Sequence, residues 1–405
     1  MNTQPTSTSA LSSRSFLTYL IGSTVSLHGL WIYRVALGWF AWEITGSEFW
    51  VGLVAFTQFA PAVVFGPIFG VLADRFDRRK ASIVINSLGT INMLLLGLLA
   101  WLGYVDIYVL AAQSLVQGAL DGAHTPVRMT LVPSLVPKEQ LQSAIASASI
   151  SFNVSRFIGP AIAGTIIATQ GVAVAFAVNG ISYIAYIFAL SLVELRPATA
   201  RAKAPGDVTS EMLDGIRYIV QHRTIRGLLL IVAVASVFGR GALEMMPAFA
   251  DAIFQRGPSG LAILTAALGA GAIASGLILS RNTLWLDSRV IKISVVTAGL
   301  FIVVLGATES FWLAVPVVVS LGVILSLCGV GSQILIQTLV DDDVRGRVSS
   351  FWGMIAFGGT ALGSLVVGSA SAAFGLQTTV MVSGSLCCVV ALMAPVRQEP
   401  ESSLP

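Results

Sequence analysis

Charged side chains are scarce in this sequence. Asp, Glu, Lys and Arg make up 11% of the 405 residues, whereas a soluble globular domain carries about 25%. Hydrophobic residues supply 55% of the chain, and the mean hydropathy is +0.85. This composition excludes an ordinary soluble protein and predicts a chain that crosses a lipid bilayer several times.

Cysteine and histidine are also rare, with three residues of each. Cys328, Cys387 and Cys388 lie in apolar segments, so we interpret them as small packing residues rather than a disulfide framework or metal site. An enzyme would need a cluster of nucleophilic or metal-binding side chains, and none can be recognised. We therefore predict that the protein is not an enzyme and has no catalytic residues, no metal and no cofactor. The net charge of +3 gives no reason to expect nucleic acid.

Apolar segments of spanning length recur along the whole chain. A helix needs about 20 residues to cross a bilayer, and several segments exceed that minimum, so tilted helices are expected. The predicted fold class is all-α integral membrane, with twelve transmembrane helices at 15–44, 48–73, 81–103, 107–131, 139–169, 172–193, 224–255, 258–281, 290–308, 311–338, 345–374 and 377–395.

Lys and Arg are distributed unevenly between the two sides. Of the 23, Arg34, Arg156 and Arg240 lie inside predicted helices, Arg256 lies in a loop on one side, and the other 19 fall on the side of the turn at residues 70–80. Because basic loops stay in the cytoplasm, that side is predicted to be cytoplasmic. An even number of spans places both termini there as well, so we expect a multi-pass protein of the cytoplasmic (inner) membrane.

One long polar stretch divides the twelve helices into two sets of six. Within it, Met212, Ile216, Ile219 and Val220 recur at helical spacing, which predicts a short amphipathic helix on the inner membrane face. A partly disordered linker is the alternative. The predicted domains are a disordered cytoplasmic tail at 1–14, an N-terminal six-helix bundle at 15–193, a cytoplasmic linker at 194–223, a C-terminal six-helix bundle at 224–395 and a cytoplasmic tail at 396–405.

Glycine positions indicate that the two halves are related. A shift of 204 residues carries five of the six glycines between Gly118 and Gly180 onto other glycines. The matched pairs are Gly118 and Gly322, Gly159 and Gly363, Gly164 and Gly368, Gly171 and Gly375, and Gly180 and Gly384. This repeat predicts two pseudo-symmetric bundles.

The turn at residues 70–80 carries a distinctive motif. Gly-Val-Leu-Ala-Asp-Arg-Phe-Asp-Arg-Arg-Lys places Gly70, Asp74, Arg75, Arg78 and Arg79 between two apolar segments. It resembles the signature loop Gly-x-Leu-Ala-Asp-Arg-x-Gly-Arg-Arg between the second and third helices of the major facilitator superfamily, with an aspartate at position 77 where that family usually has glycine. The resemblance implies the major facilitator fold, with substrate bound between the halves near the bilayer midplane.

The same resemblance implies a gating role for the loop. In the superfamily the signature acid is thought to latch the inner ends of the halves together, so Asp74 would meet the start of the eleventh helix near Gly346, whose free N–H groups attract an anion. The acids at 341–343 would take Arg78 and Arg79 in the same state. The alternatives are that the arginines are a plain positive-inside anchor and that the acids merely face water.

Two further tracts resemble one exporter branch of the superfamily. Thr125-Pro126-Val127-Arg128 and Asn153-x-x-Arg156-x-x-Gly159-Pro160 are similar to elements of the branch that contains enterobactin exporters and macrolide efflux pumps, with Val127 replacing an alanine. The implied function is export of a small amphipathic molecule, a siderophore or drug-like compound, by alternating access. No Gly-x-x-x-x-Gly-Lys-Ser/Thr loop for ATP occurs, so the expected energy source is proton exchange or the substrate's own gradient. An importer or facilitator of a small metabolite and a non-transporting membrane scaffold are the alternatives.

Ionisable groups inside spanning helices cost at least about 2.5 kcal/mol each, so each is a functional candidate. Asp121, Glu244 and Glu43 are the predicted proton-coupling candidates. For Asp121 the alternative is a permanent pair with Arg156 or Arg128. Glu244 lies four residues after Arg240, so an ion pair on one helix face is the alternative there. Glu43 is near a helix end beside two tryptophans, where interfacial anchoring is the alternative, and His28 is a packing or relay histidine.

Aromatic and basic residues in the first, fifth and seventh helices form the predicted substrate pocket, which comprises Trp31, Arg34, Phe152, Arg156 and Arg240. The arginines favour an anionic or catecholate-like substrate, and the aromatic rings suit a hydrophobic drug equally well. The expected partners are a small-molecule substrate, protons and the lipid bilayer, with the chain acting as a monomer.

Overall fold

The chain folds into helices joined by short turns. The computed structural model describes residues 9–73, 77–196, 208–281, 285–341 and 344–394. The first half contains α1 (Arg14–Thr45), α2 (Glu48–Ala73), α3 (Arg78–Trp101), α4 (Ile107–Leu131), α5 (Leu141–Gln170) and α6 (Val172–Leu192). A linker helix α7 (Val208–Gln221) precedes α8 (Arg223–Ile253), α9 (Gly257–Arg281), α10 (Ser288–Ala307), α11 (Phe311–Leu339), α12 (Arg345–Phe374) and α13 (Leu376–Met393).

Ten of the helices in the described part of the chain are long and apolar enough to cross a membrane. The helices α1 and α4, of 32 and 25 residues, also have the length of a span but are less apolar. The helix α1 carries His28, Arg34 and Glu43, and α4 carries Asp121 and His124. Six helices on each side of the linker thus match the predicted twelve-helix arrangement. Every spanning helix lies within a few residues of its predicted range.

Aspartate caps explain why two helices begin earlier than predicted. Asp77 precedes α3, and its Oδ1 accepts the N–H of Lys80 at 2.8 Å. Asp287 does the same for α10, where its Oδ1 accepts the N–H of Val290 at 2.7 Å. Asp77 has φ −60°, a conformation open to any residue, so the turn does not need the glycine of the family pattern at this position.

The bundle has two ends that differ in their turns. We call the end with Asp77, Lys138 and His222 the basic end and the end with Gly46, Gly171 and Gly375 the opposite end. Gly171 and Gly375, which are related by the 204-residue repeat, have φ +83° and +88°. Both stand at equivalent helix junctions, α5 to α6 and α12 to α13, where the positive φ requires glycine. The repeat is therefore visible in backbone geometry.

Repeat-related glycines also occupy equivalent helix contacts. Gly118 of α4 packs against the carbonyl of Gln58 in α2, and Gly322 of α11 packs against the carbonyl of Leu268 in α9. A side chain at either glycine would overlap that carbonyl oxygen. Small residues allow helix backbones to approach closely in a membrane, so the two halves use the same packing solution.

Two long helix pairs join the halves: α2 packs along α12, and α5 packs along α9. Gly52 and Gly368 bring α2 and α12 into backbone contact toward the opposite end. Gly269 of α9 meets the backbone of Arg156 and Phe157 in the middle of α5. These pairs place the middles of α1, α5 and α8 around the interface between the halves.

The segments outside the spanning helices are partly ordered. The linker helix α7 packs through Gly215 on Phe351 of α12, and the Tyr218 hydroxyl donates to Asp341 Oδ2 at 3.2 Å. The predicted disordered tail is wrong in its last part: residues Ala10–Ser12 form a 3-10 turn, and the Ala10 N–H donates to Ser143 Oγ at 3.2 Å. Residues 1–8 and the predicted tail at 396–405 lie outside the described residues.

Candidate functional site

An aromatic ring between two guanidinium groups marks the middle of the interface. On α1, Trp31 and Arg34 are one turn apart, and the Arg34 Cζ lies 4.8 Å from the Trp31 ring centroid. On α5, Phe152 and Arg156 are also one turn apart; the Phe152 and Trp31 centroids are 5.8 Å apart, and the Arg156 Cζ is 5.5 Å from the Trp31 ring. Both arginines are thus in cation–π range of one indole. We call these four residues the Trp31 cluster.

The tight packing of α1 on α5 positions the Trp31 cluster. Gly159 lies against Trp31 Cβ, so no larger residue fits there. One turn below, His28 Nδ1 is 2.8 Å from the Thr24 carbonyl oxygen and 3.0 Å from Ser155 Oγ. These contacts fit the packing interpretation of His28 better than the relay interpretation, because the ring nitrogen is engaged between two neighbouring helices.

Phe59 of α2 belongs to the site but was not predicted from the sequence. Its ring centroid lies 5.4 Å from the Arg34 Cζ, so Arg34 is held between an indole and a phenyl ring. Phe59 follows no charged or motif residue. The only feature of the sequence that could have indicated Phe59 is its position near the middle of a spanning helix.

The second half contributes Arg240 and Glu244 from an irregular part of α8. The α-helix ends at Val234, a π-helix follows at Ala235–Arg240, and Glu244 lies in a turn before a second π-helix at Phe249–Ile253. Pro247 has no backbone N–H, so one hydrogen bond of the regular helix is missing there. Irregular backbone at membrane depth is tolerated where it lines a cavity, and π-helical turns are frequent at functional sites.

Arg240 and Glu244 do not pair, although they lie one turn apart. In the described part of the chain, no ion pair within 4.0 Å joins them. The Glu244 N–H donates to the Arg240 carbonyl oxygen at 3.2 Å, so one α-helical turn separates the two residues, and it is the direction of the Arg240 side chain that keeps them apart. Arg240 points to α11, where its Nη2 would lie 2.6 Å from a Cβ on Gly329. The alternative of a self-contained ion pair is therefore wrong for this conformation.

Glu244 instead faces several cations at a distance. Its carboxylate interacts electrostatically with Arg34, Arg156 and Arg240. These guanidinium groups come from α1, α5 and α8, so the carboxylate lies where the two halves meet. Three of the five predicted pocket residues thus act on Glu244, and the other two, Trp31 and Phe152, pack against each other in the Trp31 cluster.

The Asp121 carboxylate is held by the Gln117 amide rather than by an ion pair. Gln117 Nε2 donates to Asp121 Oδ1 at 3.0 Å and to the Tyr183 hydroxyl at 2.9 Å, and Gln117 Oε1 accepts from Asn92 at 3.3 Å. No salt bridge to Arg156 or Arg128 is present among the described residues. The largest electrostatic influence of a cation on Asp121 comes from Arg34. The permanent pair considered for Asp121 is thus absent here.

Glu43 lies apart from the other two carboxylates. Its side chain is exposed near the end of α1, nine residues beyond Arg34, or about 13 Å along the helix axis at 1.5 Å per residue. The contact in this region belongs to its neighbour: Trp42 Nε1 donates to Asp251 Oδ2 of α8 at 2.9 Å. Asp251 was not predicted, since nothing in its sequence surroundings distinguishes it.

The gating residues are only partly described. Asp74 and Arg75 lie outside the described residues, and Gly70 lies in the last turn of α2. Arg78 Nη1 donates to the Thr130 carbonyl at 3.2 Å, and Arg79 Nη2 donates to the Val193 carbonyl, so both arginines bind helix ends of their own half. Gly346 has open space around it at the start of α12. No group of side chains suited to a metal ion occurs in the described ranges.

Comparison with known proteins gives the family. The chain matches the transmembrane secretion effector family over residues 5–403 and belongs to it. Macrolide efflux protein A of Streptococcus pyogenes is 22% identical over 396 residues, covering 95% of this chain and 96% of the relative. The staphyloferrin A transporter of Staphylococcus aureus is 26% identical over 385 residues, covering 93% of each. Multidrug efflux pump Tap of Mycobacterium tuberculosis is 25% identical over 401 residues, covering 94% of this chain and 93% of the relative.

Solved structures of the major facilitator superfamily share the fold. A bacterial homologue of the human lysosomal transporter Spinster, in an inward-facing and occupied conformation, has a TM-score of 0.76 at 14% identity, covering 96% of this chain and 97% of the other. The nucleoside transporter NupG has a TM-score of 0.71 at 14% identity, covering 94% and 98%. The predicted major facilitator fold is confirmed, and the chain is a multi-pass membrane transporter rather than an enzyme.

Proposed function

We propose that this member of the transmembrane secretion effector family exports a small amphipathic molecule across the cytoplasmic membrane in exchange for protons. The names of its relatives, which describe macrolide efflux, staphyloferrin A transport and multidrug efflux, support an exporter. In this proposal both termini are cytoplasmic, the basic end faces the cytoplasm, and the chain acts as a monomer.

The observation that carries the proposal is a set of guanidinium groups without acceptors. Arg34, Arg156 and Arg240 make no hydrogen bond or ion pair within the described part of the chain. Arg34 Nε and Trp31 Nε1 are moreover fully buried without a partner. A guanidinium has five N–H donors, and buried donors without acceptors are costly, so these groups fit a ligand rich in acceptor oxygens.

The aromatic rings set the other half of the substrate's character. Trp31, Phe59 and Phe152 surround the arginines with apolar surface. A pocket of this kind suits a molecule with a hydrophobic or aromatic body that carries carboxylate, catecholate or other acceptor oxygens. Siderophores and oxygen-rich drugs both have this character.

Coupling between substrate and proton would pass through Arg34. This guanidinium interacts electrostatically with Asp121 of the first half and with Glu244 of the second half. Protonation of either carboxylate weakens its hold on Arg34, so the cation is drawn toward the other carboxylate. A protonation event in one half thereby changes the charge balance at the interface, which is the requirement for linking proton movement to rocking of the halves.

A vesicle assay tests the proposal. Purified protein is reconstituted into vesicles with an imposed pH gradient, and proton movement is followed while siderophores, macrolides and cationic dyes are added in turn. We expect one of these compounds to trigger proton flux, and Asp121→Asn or Glu244→Gln to abolish it. Glu309→Gln, which neutralises an exposed carboxylate in an opposite-end turn, is the matched control and should leave the flux unchanged.

Each other outcome rejects a defined part of the proposal. Flux that survives both core substitutions but is lost in Glu43→Gln would move the coupling site to the end of α1. Substrate movement without proton flux would indicate a facilitator. Accumulation of substrate on the cytoplasmic side would indicate an importer, and no movement of any compound by folded protein would favour a scaffold.

A further inference from the structure

A polar cavity lies inside the first bundle, apart from the Trp31 cluster. It offers about 40 Å³ to water-sized molecules between α1, α4 and α6, and none of Trp31, Arg34, Phe152 and Arg156 lines it. Its polar lining consists of Ser23, Ser26, Asp121, His124, Arg128 and Tyr183, together with Tyr186. A cavity with several hydroxyl, carboxylate and guanidinium groups has both the room and the partners to hold water.

The cavity runs from the basic end toward Asp121. Asp121, His124 and Arg128 stand at positions i, i+3 and i+7 of α4, so they share one face of that helix. Arg128 is three residues from the last residue of α4 at the basic end. Asp121 lies seven residues deeper, or about 10 Å at 1.5 Å per residue. The lining thus connects a carboxylate at membrane depth with the end of the bundle.

His124 is fixed in one tautomer by α3. Asn86 Nδ2, which can only donate, is 3.1 Å from His124 Nε2, and Ser82 Oγ is also 3.1 Å from it. Nε2 is therefore the acceptor, and the proton is on Nδ1. Because Nε2 is occupied by α3, the ring cannot pass a proton through itself, and His124 lines the cavity as a positioning residue.

Asp121 has one oxygen free for a proton. Its Oδ1 accepts a hydrogen bond from Gln117. The other carboxylate oxygen has no hydrogen-bond donor among the described residues and does not belong to the fully buried polar atoms that lack a partner. The carboxylate also lines the cavity. Besides His124, the charged and titratable groups around the Asp121 carboxylate are Arg34 and Tyr33 of α1, Tyr183 of α6 and Arg128 of α4.

We propose that protons reach Asp121 from the basic end through this intrabundle cavity, on a path separate from that of the substrate. A proton from bulk water passes along hydrogen-bonded water molecules and forms an O–H bond on the free oxygen of Asp121. It leaves by the reverse route when that bond breaks. The inference rests on the proposed function in using Asp121 as the coupling carboxylate.

A pH-jump infrared experiment tests the path without requiring transport. The carboxyl band that Asp121→Asn removes reports protonation of Asp121 in the full chain. Ser26→Leu fills the cavity, and we expect the band to form about tenfold more slowly, which corresponds to about 1.4 kcal/mol on the barrier. Ser385→Leu makes the same change at an exposed position of α13 and should leave the rate unchanged.

A thiol-labelling experiment covers the case in which Ser26→Leu does not fold. The three native cysteines are buried and provide a low background. We expect Ser26→Cys to react with a small charged thiol reagent added at the basic end, and to react equally in excess of the siderophore, macrolide or dye that triggers proton flux. Ser182→Cys, a buried position of α6 that does not line the cavity, should not react.

The outcomes separate this inference from the proposed function. An unchanged rate in Ser26→Leu, or labelling of Ser26→Cys that substrate blocks, overturns the separate path while leaving proton-coupled export intact. The absence of any Asp121 band in the unmodified protein overturns the path through this cavity and leaves Glu244 as the coupling carboxylate of the proposed function. A slower band in a protein that shows no substrate-triggered proton flux would support the path and reject the proposed function.

Discussion

The first helices of the two halves, α1 and α8, differ although the repeat relates them. The helix α1 is an unbroken α-helix of 32 residues. Its counterpart α8 contains two π-helical segments and a turn between residues 223 and 253. Both helices place arginine at the interface between the halves. One therefore presents Arg34 on a rigid scaffold, whereas the other presents Arg240 and Glu244 on backbone that departs from the α-helix.

This difference assigns distinct roles to the two helices. A regular helix holds its side chains at constant positions, so the Trp31 cluster can serve as a fixed binding surface. Irregular segments absorb changes in backbone angle, and neighbouring helices must support them. Here α12 supports α8, because Gly363 packs against the carbonyl of Val237 and against Gly241. We therefore expect α1 to control recognition and α8 to control movement.

The largest expected effect is on the transport rate, which should fall more when Arg34 of α1 is replaced than when Arg240 of α8 is replaced. Arg34→Ala should lower transport by about 100-fold, because truncating one member of a buried charge set costs about 2–5 kcal/mol. Arg240→Ala should lower it less, by about tenfold, since Arg240 is not an electrostatic partner of Asp121. Initial rates in vesicles measure both. Arg256→Ala, at an exposed site of the opposite end, is the control, and an equal loss in Arg34→Ala and Arg240→Ala would contradict the division of roles.

An intermediate effect tests the support of α8 by α12. Gly363→Ala would force a Cβ into the Val237 carbonyl, and such overpacking costs about 1–3 kcal/mol. Thermal unfolding in detergent should show a lower midpoint. Gly353→Ala, on the same helix but in open space, removes only glycine's flexibility and should raise stability by up to about 1 kcal/mol. Equal midpoints for the two variants would mean that the contact is not a tight one.

Much of this architecture was predictable from the sequence because it follows from composition. Apolar length sets the spans, and the glycine repeat records close backbone contacts such as those of Gly118 and Gly322. The Trp31 cluster was predictable in part, because charges and aromatic residues at membrane depth are costly unless they line a cavity.

The remaining features depend on tertiary structure that no local pattern encodes. The first π-turn of α8 lies where Gly363 of α12 packs against Val237, and no local pattern predicts it. Arg240 and Glu244 keep their helical spacing, but Arg240 lies against Gly329 of α11. The hydrogen bonds of Gln117 reach two other helices, α3 and α6, and Asn92 and Tyr183 have no signal of their own. Partner choice among buried polar groups is decided by the whole bundle.

The smallest expected effect concerns the opposite end, where α1 and α8 meet directly. Trp42→Phe keeps an aromatic ring but removes the N–H that donates to Asp251, at a cost of about 1 kcal/mol. Because this bond joins the two halves at the opposite end, we expect its loss to raise the fraction of molecules that are open there about fivefold. Distances between spin labels at Ser47→Cys and Ser259→Cys measure that fraction. Trp312→Phe, the same change at an exposed ring, should leave the distances unaltered; an equal response from both variants would show that the bond does not hold the two helices together.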